Sequence, residues 1–501
     1  MSIPLGRLTT RADSPAARAP FTHHIVEHRV PARNTQSAAP HTAPPTLPAE
    51  SVPGRHAAGI DVGDATHWVC VAATPDGSDP VREFPAHTPG LRALVAWLRQ
   101  CGVTSVAFEA SGAYGRVLFL TLLEAGFEVL VTAPHFTRQI KGRPKTDRRD
   151  CQWIQRLHAH GMLPAVFQPD DATHTLRDYV RQRANLVRLS AQHVQRVQKA
   201  LELMNLKLTT VLGDVTGVTG LKIVRAIVAG ERDPRALAKL RDRRCQHTVE
   251  QIATALDGRY RPEHVTELRL CLHLWDAYRE AIAQLDAQIA THLRTMRRAT
   301  DLPPLPKRAR VRGKKPHDPG FDVREALYLA TGVDLTAIEG IDAIHALTLV
   351  SELGTDFTKW PTVKHFTSWL GLCPNWKKTG GKVQSSRTRL GKNRAAGALR
   401  LAAWGLMRST SYMGAYLRRQ RGRLGAPKAI TATAHKLARV VYALMRHGVG
   451  YVKQSQEAYA EHTRAKVEKQ FHRRAKELGY EVKKVEPPAA TPEAGAPALV
   501  T

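Results

Sequence analysis

The stretch AAGIDVGDATHWVCVAATPDG, Ala57 to Gly77, decides how the rest of the chain is read. AAGIDVG is a short apolar strand, WVCVAATPDG follows as another, and Asp76-Gly77 supplies a turn. Working outward, Leu91, Leu94, Val95 and Leu98 have the spacing of one helix face. VTSVAFEAS then reads as a buried strand, YGRVLFLTLLEAG as a helix closed by Gly126, and FEVLVTAP as another strand. A strand hairpin followed by alternating helix and strand predicts an α/β domain over residues 55–169.

The next region changes period. Val180, Val187, Val194, Leu201 and Leu208 recur at heptad spacing, with Val197, Met204 and Val211 on a second seam and Arg183 and Ser190 as polar interruptions. Leu268, Trp275, Ile282, Ile289 and Met296 repeat the pattern, with Tyr278 and Leu285 on the companion seam and His292 interrupting. Two such tracts predict long helices packed as a coiled coil over residues 170–300, within the chain or between chains. Residues 301–320, DLPPLPKRARVRGKKPHDPG, form a proline-rich linker in which Lys307, Arg308, Arg310, Arg312, Lys314 and Lys315 can follow a phosphate backbone. Helical patterns resume over 321–455. The flanks, 1–54 and 456–501, read as a basic tail and a charged, partly disordered tail.

Bulk properties narrow the partners. In 501 residues, 74 Lys and Arg face 44 Asp and Glu, a formal charge of +30 that calls for a polyanion, most simply nucleic acid. No apolar run is long enough to span a bilayer, and no basic helix carries a strong lipid-facing side, so a membrane partner is not expected. Cys70, Cys101, Cys151, Cys245, Cys271 and Cys373 form no C-x-x-C pair, which argues against structural zinc and disulfides and fits a reducing cytoplasm.

Against this basic background four acids stand out. Asp61 lies inside an apolar strand, where a carboxylate is unfavourable to bury unless paired or coordinated. Glu109 ends the strand SVAFE, and strand C-termini of α/β sheets commonly build sites. In KTDRRD, Asp147 and Asp150 fall on one face of a helix starting near Thr146, an N-cap residue. Converging carboxylates repel unless a divalent cation neutralises them, and Mg²⁺ or Mn²⁺ suits such hard oxygen donors, two ions serving phosphodiester cleavage. Lys145, Arg148 and Arg149 would then approach the phosphates.

A second constellation runs from Gly371 to Trp404. Thr379, Ser385 and Ser386 supply hydroxyls among Arg387, Arg389, Lys392 and Arg394, a set whose spacing alone favours a phosphate-binding loop over nucleophilic attack.

GIDVG, FEASGAYG and KTDRRDCQ, together with LGLCPNWKKTGGKVQSSRTR and NRAAGALRLAA, resemble the DEDD transposases of bacterial insertion sequences, the one-ten family, whose relatives include the Piv and MooV DNA invertases. The resemblance covers most of Ala57 to Gly450. It implies a RuvC-like, RNase H-type N-terminal domain with Asp61, Glu109, Asp147 and Asp150 as metal ligands, a coiled-coil insertion used for oligomerisation into a dimer or tetramer, and a mainly α-helical C-terminal transposase domain with a serine nucleophile. Some members pair with donor and target DNA through a bridge RNA. The position of that serine, five residues after Pro374 and before Gly380, holds Thr379. The expectation is a DNA recombinase in the nucleoid-bearing cytoplasm with Thr379 as nucleophile, Ser385 or Ser386 as substitutes. A branched-DNA nuclease using water and an inactive nucleic-acid-binding relic are the alternatives. IEGIDAIHALTLVSELG looks like the family's helix-hairpin-helix segment, with Asp342 beside the place of a second glycine.

Overall fold

Side chains that alternate between the two faces of a sheet define β1 (Ala57–Val62), β2 (Thr66–Cys70) and β3 (Val81–Pro85), followed by α1 (Thr88–Gln100), β4 (Ser105–Glu109), α2 (Ala113–Glu124), β5 (Glu128–Thr132), the short α3 (Pro134–Thr137) and α4 (Asp147–Ala159). The structure, a computed structural model, describes residues 54, 56–137, 146–296, 302–306, 317–389, 391, 393–448, 464–465 and 468–482. The expected N-terminal tail up to Pro53, the linker cations Lys307 to Lys315, and Lys145 and Lys392 lie outside these residues.

The five strands form one sheet in the order β3-β2-β1-β4-β5. β1 runs antiparallel to β2, and β2 to β3, while β1–β4 and β4–β5 are parallel. β3 is an additional strand that the apolar pattern does not signal. Its VREFP pattern exposes Arg82 and Glu83, charges that suit a short edge strand and blur its apolar signal. Ala58, Ile60, Val106 and Phe108 face α1 and α2 in the main core, where Leu94, Leu98, Leu118 and Leu122 are fully buried. The opposite face, with Ala107, packs on Ile154 and Leu157 of α4. Asp61 and Glu109, one position out of step with Ile60 and Phe108, therefore belong to the α4 side.

The chain divides into two compact units after Val166. The second is helical: α5 (Asp171–Leu203), α6 (Leu208–Val211), α7 (Val218–Ala229), α8 (Pro234–Ala238), α9 (Val249–Ala255), α10 (Pro262–Thr295), α11 (Val323–Thr331), α12 (Ala343–Leu353), α13 (Val363–Trp369), a hairpin of β6 (Lys377–Thr379) and β7 (Lys382–Ser385), then α14 (Arg394–Gly405), α15 (Tyr412–Leu424) and α16 (Ala426–His447). Helical residues also occur at 468–477, inside the tail expected to be partly disordered.

α5 and α10, 33 and 34 residues long, pack antiparallel within the chain over about 50 Å. Leu176, Val180, Ile289 and Leu293 at one end join the core of α11 to α16, while Val197, Leu201, Leu268 and Trp275 at the other join α7 and α9. The first heptad tract is shorter than its sequence suggested. α5 stops at Leu203, Asn205 turns into positive φ at 57°, and Leu208 and Val211 belong to α6. The supposed polar interruptions Arg183 and Ser190 are buried in the seam. Arg183 Nε donates to Asp286 Oδ1 at 2.5 Å, and a second guanidinium nitrogen donates to the His317 carbonyl at 3.0 Å. At the other interruption, His292 Nε2 lies 2.7 Å from the Ala172 carbonyl.

Candidate active site

Three elements carry the acids to one place. Asp61 is on β1, opposite Trp68, and Glu109 is the last residue of β4. α4 begins where the Thr146 hydroxyl accepts from the Arg149 N–H at 3.3 Å, which puts Asp147 and Asp150 in a first turn whose dipole favours negative charge. What brings α4 onto β1 is Gly59. A Cβ there would stand 2.2 Å from the Gln155 backbone nitrogen and 2.6 Å from the Cys151 carbonyl, so only glycine permits this approach. Gln155 Nε2 then donates to the Ala57 carbonyl at 3.2 Å.

The result is a cavity of about 480 Å³ lined by all four predicted acids and also by Asp64, Thr137 and Trp153. The buried Thr137 hydroxyl donates to the Glu109 carboxylate, and Trp153 Nε1 donates to the Thr137 carbonyl at 3.0 Å. This relay connects β4, α3 and α4. Sequence reasoning missed Thr137 and Trp153 because neither residue type announces a site; their importance arises only when α3 and α4 meet beside Glu109.

The donor set is all hard oxygen, which suits Mg²⁺ or Mn²⁺. Among the described residues no three His, Cys, Asp or Glu side chains are gathered tightly enough to hold an ion unaided. That arrangement still fits Mg²⁺, which binds through one or two carboxylates and completes its shell with water and substrate phosphate.

The neighbouring cations depart from expectation. Arg148 turns to Asp79, donating at 2.6 Å in an exposed ion pair, and neither Arg148 nor Arg149 lines the cavity. Behind the site, burial and the proximity of Cys70 and Asp61 push the Cys151 thiol up to about 12, and burial takes Cys70 to about 12, so both behave as packing residues rather than nucleophiles. All six cysteines are free thiols.

In the helical unit Thr379 is exposed at the end of β6. Gly380 and Gly381, at φ 53° and 75°, make the two-residue turn of a tight hairpin, and Thr379 pairs with Lys382. Lys377 pairs with Ser385 and Lys378 with Val383, so Lys377, Thr379, Lys382 and Ser385 share one face. The Ser385 hydroxyl accepts from the Arg387 N–H at 3.3 Å. Ser386, Arg387, Arg389 and Arg394 are exposed, with Asn393 capping α14. The strand reading of β6 and β7 was not made from sequence, although Gly-Gly between Lys-Thr and Lys-Val is a hairpin signal. The surrounding sequence is uniformly cationic: from Phe357 to Gln456 there are 20 Lys and Arg and not one Asp or Glu.

A model for a DEDD-type IS110 transposase matches residues 58–206, and a model described as Transposase IS116/IS110/IS902 family matches residues 334–418. The chain belongs to the IS110 family of transposases. The first match spans Asp61, Glu109, Asp147 and Asp150 of this transposase, and the second spans Thr379. The transposase is 26% identical over 410 residues to an uncharacterized 43.6 kDa protein of insertion element IS110 from Streptomyces coelicolor, covering 78% of this chain and 94% of that protein. It is 31% identical over 143 residues to y4qE of Sinorhizobium fredii, named as a candidate transposase, where the match covers 28% of this chain and about a third (36%) of that relative. Among the described residues no helix is long and apolar enough to cross a membrane.

Proposed function

We propose that this transposase cleaves and joins DNA strands, the acids of the first unit serving the scissile phosphate and the Thr379 hydroxyl of the second acting as nucleophile. The observation that carries the reading is the delivery of Asp61, Glu109, Asp147 and Asp150, from three elements, to one cavity inside the matched stretch. The sheet order β3-β2-β1-β4-β5, with its antiparallel hairpin arm and parallel helix-connected arm, supports an RNase H-type, RuvC-like reading of the unit. Two divalent ions held by these acids would supply charge neutralisation at a scissile phosphate.

The chain's own part is positioning and attack. Thr137 orients Glu109, and Thr146 starts the turn that presents Asp147 and Asp150. Thr379 Oγ1 attacks phosphorus and forms a phosphothreonine ester. The bond to the leaving 3′-oxygen breaks, and the threonine proton passes through solvent to that oxygen, which departs as a 3′-hydroxyl. A 3′-hydroxyl then displaces threonine, which regains its proton, and the new DNA strand is sealed. Lys377 and Lys382, on the same hairpin face, stabilise the phosphoryl oxygens. Arg387, Arg389 and Arg394, with Lys392, hold flanking phosphates of DNA or of a guide RNA. Oligomers form through the outer face of α10, where Leu270 and Leu274 are exposed one turn apart.

Separate Asp61→Asn and Thr379→Ala variants test the scheme with a nicked-DNA trapping assay. The first is expected to abolish cleavage, and the second to abolish the covalent adduct while Thr379→Ser keeps it. Full strand exchange by Asp61→Asn or Thr379→Ala rejects that residue's role. Cleavage without any adduct in the wild type transfers the attack to water and favours a nuclease.

A further inference from the structure

Trp376 stands immediately before β6 with 58% of its surface exposed, and Val383 on β7 is 51% exposed. Alternation along the ribbon puts Trp376 on the side of Lys378 and its partner Val383, away from the Thr379 face. The chain buries Trp97, Trp275 and Trp360 and leaves Trp376 and Trp404 exposed, and of these two only Trp376 stands on the ribbon that carries Thr379. Its surroundings limit what can cover it. Lys377, Lys378 and Lys382 are on the hairpin itself, Arg387 and Arg389 follow it, and the hairpin lies within the 100-residue stretch that lacks acids.

Resting on the nucleic-acid reading above, we propose that Trp376 is a stacking platform for an unpaired base, and that this seats the nucleic-acid strand whose phosphate reaches Thr379. Every base offers a π-face to an aromatic ring whatever its sequence, and stacking survives where hydrogen-bond readout is lacking. Lys378, on the same face, takes a phosphate of that strand. The two faces of the ribbon then divide the work: one grips a base, and the other presents the hydroxyl. A paired base cannot stack on an outside ring without leaving its helix, so the platform selects distorted or single-stranded nucleic acid over intact duplex.

The test uses the full chain and two fluorescein-labelled probes of one sequence, a 12-nucleotide single strand and the same strand in duplex, read by anisotropy across a salt series. Trp376→Ala is expected to weaken single-strand binding about 5- to 150-fold while leaving duplex binding within about twofold. Trp376→Phe restores most of the loss. Lys378→Ala weakens both probes and lowers the salt slope by about 1, which Trp376→Ala does not. Equal loss on both probes, no loss on either, or a loss that Trp376→Phe fails to restore overturns the assignment. A fall in oligomer mass on sedimentation of Trp376→Ala also overturns it, because the ring would then be covered by a second copy. Failure of the wild type to bind either probe sinks the proposed function instead.

Discussion

Asp286, buried in the helical unit, is met by the Arg183 guanidinium, Glu352 by Arg177 and Arg181, and Asp334 by Arg324, whereas Asp61, Glu109, Asp147 and Asp150 in the α/β unit converge on a cavity whose described lining holds neither Lys nor Arg. The same residue type is therefore used in two ways. An acid neutralised by an arginine inside the fold contributes a fixed joint between helices. Acids that share a cavity with no Lys or Arg in its described lining are instead placed to attract an outside cation. The contrast gives a physical rule for telling scaffold from site in a chain of net charge +30.

The rule is broken most readily at Arg183. Removing it as Arg183→Met strands the Asp286 carboxylate among α5, α10 and Gly320, and is expected to cost about 3–5 kcal/mol in urea unfolding. The double variant Arg183→Met with Asp286→Leu should recover most of that loss, since an apolar pair of similar volume replaces a desolvated ion pair. If the single variant costs less than about 1 kcal/mol, the pair is not a joint and the comparison fails on its structural side.

Gly59 tests the other side. Gly59→Ala sets a Cβ against backbone rather than against a yielding side chain, and α4 must move off β1. The expected cost is about 1–3 kcal/mol of stability, together with loss of DNA cleavage, because Asp147 and Asp150 move with the helix. Wild-type cleavage with unchanged stability would mean that the helix approach does not set the site.

Asp61→Asn should behave unlike a change to the structural acids. It removes one charge from the cavity at nearly unchanged volume, and is expected to hold stability within about 1 kcal/mol of wild type while cleavage is lost. A larger loss of stability would place Asp61 with the scaffold.

Much of this was legible in the sequence, for identifiable reasons. β1, β2, β4 and β5 and the helices between them carry unmixed apolar patterns, and Thr146 before Asp147 is a cap by residue type alone, so the four acids could be assigned to their elements. What was not legible depended on contacts between distant segments. Thr137 acquires a role only from Glu109 and Trp153, and Arg183 reads as a flaw in a heptad until Asp286, 103 residues away, is placed opposite. The end of α5 was missed because Leu208 and Val211 keep the apolar rhythm after the backbone has turned at Asn205.

Asp342 sharpens the comparison by a third use of an acid. It is neither paired with an arginine nor set in the cavity; it caps α12, its carboxylate accepting from the His345 N–H at 2.8 Å, and Gly340 before it takes the positive φ of 82°. The His345 hydrogen bonds outweigh partial burial and hold the Asp342 carboxyl down at about 2. Because this lies below the unfolded value of about 3.9, the cap's contribution is fully present above that pH and is lost as pH falls through about 2. Asp342→Ala is therefore expected to cost about 1 kcal/mol at pH 7 and progressively less between pH 4 and 2. Asp342→Asn, which keeps an acceptor at every pH, should hold a constant stability across the same range. A gap between wild type and Asp342→Ala that stays level down to pH 2 would show that the carboxylate charge is not what starts the helix.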